Sequence, residues 1–230
     1  MMAKKYRNAG FLPIDGMQKL IESLGGEVQA AKKAIESSLF FHPEIICAQH
    51  AEMKDTLSKK NSLPARRGGA GKSGNIFTSS NFSCTIKEDG NGNANVCSII
   101  NDYTGYNLNV VLTDKPIKNY IISHLWGNAT DPRYFTSLWN IVLVPAWANH
   151  LLDKNVGAFA SRLKATFMKI CVELYDLSNA TWNWKNWDLK APGVVGTPLN
   201  GIFSIQVISK VDDPRNEFGS IKYILHKVSI

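Results

Sequence analysis

Tyr120-Ile121-Ile122-Ser123-His124, Trp139-Asn140-Ile141-Val142-Leu143-Val144-Pro145 and Ala148-Asn149-His150-Leu151-Leu152-Asp153-Lys154 are the stretches on which the fold of this chain turns. The first two are short apolar runs rich in β-branched residues, and each reads as a strand. A connection of about fifteen residues joins them, carrying Gly127, Asn128, Asp131 and Pro132. Those residue types break regular structure and favour turns. The third stretch reads as a helix. The pattern is therefore strand, loop, strand, helix, with a histidine closing the first strand and an asparagine opening the second.

The pattern weakens outward in both directions. Upstream, Asp15 can cap a helix that runs to Gly25 and Gly26, and Val28, Ala31, Ile35 and Leu39 recur at helical spacing. A third helix is expected from Pro43 to about Lys60, with Pro43 in a first turn where its missing N–H costs nothing. Residues 61–75 are rich in Gly, Ser and Arg and read as a flexible basic linker. The Gly71-Lys72-Ser73 triplet in it is no phosphate loop, because Arg66 stands where the pattern needs glycine and neither flank reads as a strand or helix. A β-prone segment, Ile76 to Ile86, leads to a turn at Glu88 to Asn93 that is expected to make a hairpin. Asp102 to Gly105 reads as a turn joining strands. Downstream, Phe159, Leu163, Phe167, Ile170 and Leu174 mark a helix. Trp182, Trp184 and Trp187 read as a loop anchor rather than a platform for stacked bases. Ile202 to Ser209 and Ser220 to Val228 read as a hairpin.

The chain has 230 residues, 44% of them apolar and 20% charged, an ordinary globular balance that can fill one sizeable core. No run is long and apolar enough for a membrane span or a signal core, so a cytoplasmic protein with no membrane partner is expected. Four dispersed cysteines with no C-x-x-C pair argue against a zinc clip or a disulfide framework. The net charge of +7 suits a polyanionic partner, since each phosphate neutralised by Lys or Arg releases condensed counterions.

On His124, Asn140 and Asn149, with the loop and the strand–strand–helix order between them, this segment resembles the HNH, or ββα-metal, nuclease superfamily in its His-Asn-Asn form. The resemblance covers about sixty residues. It implies that His124 is the general base, that Asn140 bonds the loop backbone, and that Asn149 is a metal ligand. It also implies double-stranded DNA as partner and one divalent cation, Mg²⁺ first, with Mn²⁺ or Ni²⁺ as alternatives. No structural zinc is expected, because Pro145 and Ala148 stand where a second cysteine pair would sit. Ser123 occupies the position of the family's usual acidic or histidine ligand; Ser123 itself, His150, Asp131, or substrate and water could complete the coordination. Type II restriction endonucleases of this class are similar in organisation, which further implies a bacterial source and a homodimer.

The chemistry suits these residue types. A neutral imidazole accepts a proton from water near physiological pH, and amide oxygen is a hard ligand suited to such a cation. Arg133, Lys154 and Arg162, with Arg66, Arg67 and Lys72 of the linker, are candidate phosphate contacts. The expected fold is α+β: a helical N-terminal region (1–60), the linker (61–75), a core holding the ββα-metal unit with flanking strands and helix (76–175), and a Trp-rich loop with a C-terminal β-hairpin (176–230). Two other readings share this scaffold: a nucleic-acid-binding protein without cleavage, and a bacteriocin-like toxic nuclease.

Overall fold

The computed structural model describes residues 15–59, 62–66, 74–78, 80–81, 83–90, 92–108, 116–153, 157–210 and 226–229. It is an α+β fold. Helix α1 (Gly16–Ser23) is capped by the Asp15 carboxylate, which accepts from the amides of Met17 and Gln18. Helix α2 (Glu27–Glu36) follows through Gly25 and Gly26, both at positive φ. Strand β1 (Leu39–Phe41) and helix α3 (Pro43–Ser58) complete the N-terminal part.

The N-terminal region is largely helical, as expected, and β1 ties it into the main sheet. This strand lies at the middle of a five-stranded sheet ordered β10-β9-β1-β8-β7, where β7 is Tyr120–His124, β8 Ile141–Pro145, β9 Ile202–Ile208 and β10 His226–Ser229. β1 runs antiparallel to β8, with Leu39 opposite Leu143, and parallel to β9, with Phe40 opposite Val207. β9 and β10 pair antiparallel, as the expected C-terminal hairpin requires, whereas residues 211–225, which hold its turn and most of the run read from Ser220, lie outside the described residues. One apolar core runs from Ile21 to Ile208 through three of the four expected segments, all but the linker. Chain segments sharing a core and a sheet cannot be independent domains.

A second sheet, ordered β2-β4-β3, is built from Leu63–Arg66, Ser83–Asp89 and Ile76–Thr78. Residues 63–66 are thus a strand inside the expected linker, held because Leu63 and Ala65 are buried. The hairpin expected at Glu88 to Asn93 is absent. After β4, Asn93 at positive φ turns the chain into helix α4 (Ala94–Thr104), and the Asp89 carboxylate accepts from the Asn95 amide in its first turn. Asp102 to Gly105 is the end of this helix, stopped by Gly105 at φ 79, whose amide donates to the Asn101 carbonyl. A two-stranded pairing of β5 (Asn107–Leu108) with β6 (Pro116–Ile117) precedes β7.

β7 and β8 are antiparallel, with His124 opposite Ile141 and Tyr120 opposite Pro145. Helix α6 (Ala146–Asp153) starts directly from β8 and packs on both strands and on helix α7 (Ala158–Leu174). Every residue of β8 is buried, as its unbroken apolar run requires with neighbours on both edges and faces. Between the two strands lies a one-turn helix, α5 (Pro132–Phe135).

Candidate active site

The loop from Leu125 to Asn140 is fixed by side chains that close it at both ends. The Asn140 side chain is fully buried; its Oδ1 accepts from the Trp126 amide at 2.8 Å, and its Nδ2 donates to the carbonyls of Tyr134 at 3.0 Å and Gly127 at 3.3 Å. One amide thereby satisfies three backbone groups that the loop could not pair by itself. Gly127 and Asn128, both at positive φ, make the sharp turn that brings them within its reach. Asp131 caps α5 by accepting from the Arg133 amide at 2.9 Å.

His124 ends β7 half-buried. Its Nε2 lies 2.8 Å from the Phe135 carbonyl oxygen, and the two rings stack at 5.6 Å with 7° between planes. A carbonyl can only accept, so Nε2 carries the proton, and the neutral ring holds its lone pair on Nδ1. Phe135 therefore sets both the tautomer and the ring plane. Nothing in the sequence singles it out, because it is one aromatic among polar loop residues. Gln49 on α3 braces the same loop from behind: its Nε2 donates to the Thr136 carbonyl at 3.2 Å and its Oε1 accepts from the Leu138 amide at 3.3 Å.

Asn149 lies on α6 at 8% exposure, and its Oδ1 is buried with no hydrogen-bond partner. An unpaired buried amide oxygen costs about 1 to 3 kcal/mol. It is also a ready donor to a hard cation, so this atom fits the ligand role that the family resemblance gives Asn149. Ser123 is 6% exposed and, one residue before His124 on a strand, faces the other side of the sheet. His150 is exposed on α6, and the Asp131 carboxylate is engaged by Arg133. Among the described residues, no group of three or more His, Cys, Asp or Glu side chains could hold a metal ion.

Arg133 corrects the expectation of a free phosphate contact. It is 14% exposed and grips Asp131 at 2.7 Å from Nη2 and 3.0 Å from Nε, while Nη1 donates to the carbonyls of Trp187 and Asp188. Its guanidinium also lies 4.9 Å from the centre of the Phe77 ring. Four of its five N–H groups are engaged inside the protein, so it is a clamp. Arg162 stands half-exposed on α7, 3.9 Å from Glu27. Arg66 is exposed at the end of β2, and its amide donates to the Ala129 carbonyl at 2.8 Å, which ties that strand to the loop after His124. Arg67, Lys72 and Lys154 lie outside the described residues.

The three tryptophans are 6%, 7% and 2% exposed and close around His50 rather than facing solvent. All four cysteines are free thiols. No helix among the described residues is long and apolar enough to cross a membrane. No curated protein and no solved structure matches this chain. Residues 41–192, which hold the whole of this unit, match the family described as Uncharacterised protein PM1201, and the chain belongs to that family.

Proposed function

We propose that this protein is a metal-dependent endonuclease that hydrolyses phosphodiester bonds of double-stranded DNA at the β7–β8–α6 unit. The observation that carries the reading is the unpartnered, buried Oδ1 of Asn149 on the helix that packs against the strand ending in His124. A fold keeps such an atom unsatisfied only at a cost, and a bound cation would remove that cost. The fixed tautomer of His124 supports the same reading.

In this mechanism Nδ1 of His124 takes a proton from a water molecule as its oxygen attacks phosphorus. The bond from phosphorus to the 3′ oxygen breaks in line, leaving a 5′-phosphate and, after protonation by solvent, a 3′-hydroxyl. Phe135 holds the imidazole so that Nδ1 is the basic atom, and Asn140 holds the loop that carries Phe135. Asn149 would hold one divalent cation, which when bound supplies neutralising charge at the scissile phosphate and the departing oxygen. Sequence-specific cleavage by a homodimer, as in restriction, is the narrower form of this proposal.

Ser123 favours a second reading, a DNA-binding protein that does not cleave, because its neutral hydroxyl is a poor substitute for a carboxylate ligand. A plasmid nicking assay with Mg²⁺, Mn²⁺ and Ni²⁺ separates the two. The expected outcome is nicking by the native protein and at least a hundredfold loss in His124→Ala, the scale of a missing general base. Native protein that binds DNA yet leaves it intact with every metal would establish the second reading. Nicking that survives in His124→Ala would remove the base assignment.

A further inference from the structure

The β2-β4-β3 sheet has one covered face and one open face. Leu63, Ala65, Cys84 and Ile86 point inward, and Met53 and Trp187 pack beneath them. On the other face, strand alternation and register place Arg66, Ile76, Thr78, Ser83, Thr85 and Lys87, all exposed. The register pairs Ile76 with Thr85 and Thr78 with Ser83. The carboxylate with the same alternation, Asp89, is buried under the start of α4. Two cations and three hydroxyls thus share a surface with no exposed carboxylate among its described strand residues. The sheet is tied to the candidate active-site loop at its edge, where the Arg66 amide bonds Ala129, and on its covered face, where Arg133 bridges Phe77 of β3 to Asp131.

We propose that this open face docks duplex DNA, seating backbone phosphates that flank the bond to be cut on Arg66, Lys87 and the row of hydroxyls. The inference rests on the nuclease reading for what happens next door, but its own content is binding. Lys, Arg, Ser and Thr are the side chains that contact phosphate oxygens and fix register on a duplex. A protein partner fits the surface less well, since a recognition patch needs a buried apolar centre and, among the described strand residues, this face offers only Ile76, 71% exposed, and Pro64. The chain's net charge of +7 is complementary to a polyanion.

The test measures binding of the full-length His124→Ala protein to a short labelled duplex by fluorescence anisotropy across a salt series. Lys87→Ala and Arg66→Ala are then added singly and together. Each lost phosphate contact is expected to lower the slope of log affinity against log salt by about 0.9, and the pair to weaken binding roughly tenfold or more at moderate salt. Both side chains are exposed, so thermal melts should match the parent and show that loss of binding is not loss of fold. Unchanged affinity and slope in the double variant would overturn the surface and leave the nuclease reading standing. Lost binding in those variants, with a native protein that never cuts, would uphold the surface and overturn the nuclease reading. Failure to bind duplex DNA at low salt, tighter binding of double-stranded RNA, or a dimer that Lys87→Glu disrupts in sedimentation would each overturn the proposal.

Discussion

Asn140 and Asn149 are both buried, yet their amides stand in opposite relations to the fold. Asn140 engages both ends of its side chain with the loop it closes, so Asn140→Ala strands the Trp126 amide and the Tyr134 carbonyl, and lengthens the want at Gly127. Losing such bonds in the interior should cost about 3 kcal/mol, read as a lower denaturation midpoint with an unchanged slope. Asn149 offers the reverse case, because its Oδ1 contributes no hydrogen bond to stability. Asn149→Leu, similar in volume, is expected to hold or raise stability by about 1 kcal/mol while removing the nicking and the Mn²⁺-dependent rise in melting temperature that the proposed ligand role predicts for the native protein. A variant at position 149 destabilised as much as one at position 140 would make that amide structural instead.

At the scale of elements, the loop, the small sheet and the tryptophan turns are joined by one guanidinium. Arg133 reaches Asp131, Phe77 and the Trp187 and Asp188 carbonyls together, a span that lysine's single ammonium cannot reproduce. Arg133→Lys should therefore destabilise by about 3 kcal/mol, the scale of breaking a largely buried pair. The same variant would instead leave stability intact and weaken only DNA binding if the side chain were a phosphate contact. The 3₁₀ turns Ala180–Trp182 and Trp184–Trp187 are closed on α3 by His50, whose ring lies 4.6 Å from Trp187 and 4.9 Å from Trp182. Burial, with Lys54 nearby, holds this imidazole below its usual range, against the opposing pull of the Trp182 carbonyl. In the unfolded chain it titrates near its ordinary value of about 6.5, so below that pH the unfolded state binds the extra proton and stability falls as pH falls. His50→Phe keeps a ring among the tryptophans and removes the titration. Its stability should decline less steeply than the native protein's as pH falls below about 6.5, measured by urea denaturation at stepped pH; parallel declines would place the acid sensitivity elsewhere.

For the molecule as a whole, what could be read from sequence is what is encoded locally. The β7–β8–α6 order, helices α1, α2, α3 and α7 and the β9–β10 hairpin follow from periodicity and punctuation within one stretch of chain. β1 does not, because three residues carry no period and its partners are Leu143 and residues 206–208. Nor does α4, whose Asn-Gly approach and β-branched content favour strand locally until Val96 and Ile100 are seen to bury one helical face. In the site, the positions of His124, Asn140 and Asn149 are legible, whereas the stacking of Phe135, the brace from Gln49 and the inward turn of Arg133 depend on neighbours far along the chain. That distinction has a consequence for the ββα unit as a piece of protein. Excised as residues 76–175 it would leave β8 without β1, expose the apolar faces of β8 and α7, and lose Gln49 from the loop that orients His124. A strand buried on both edges and suddenly bare on one is a template for aggregation rather than a stable sheet. The fragment is expected to lack dispersed amide and methyl signals in NMR spectra and to show no cooperative melt, while the full chain shows both. A cooperatively melting, nicking-competent 76–175 fragment would mean that the β7–β8–α6 unit is self-sufficient and that β1 is an accessory to it.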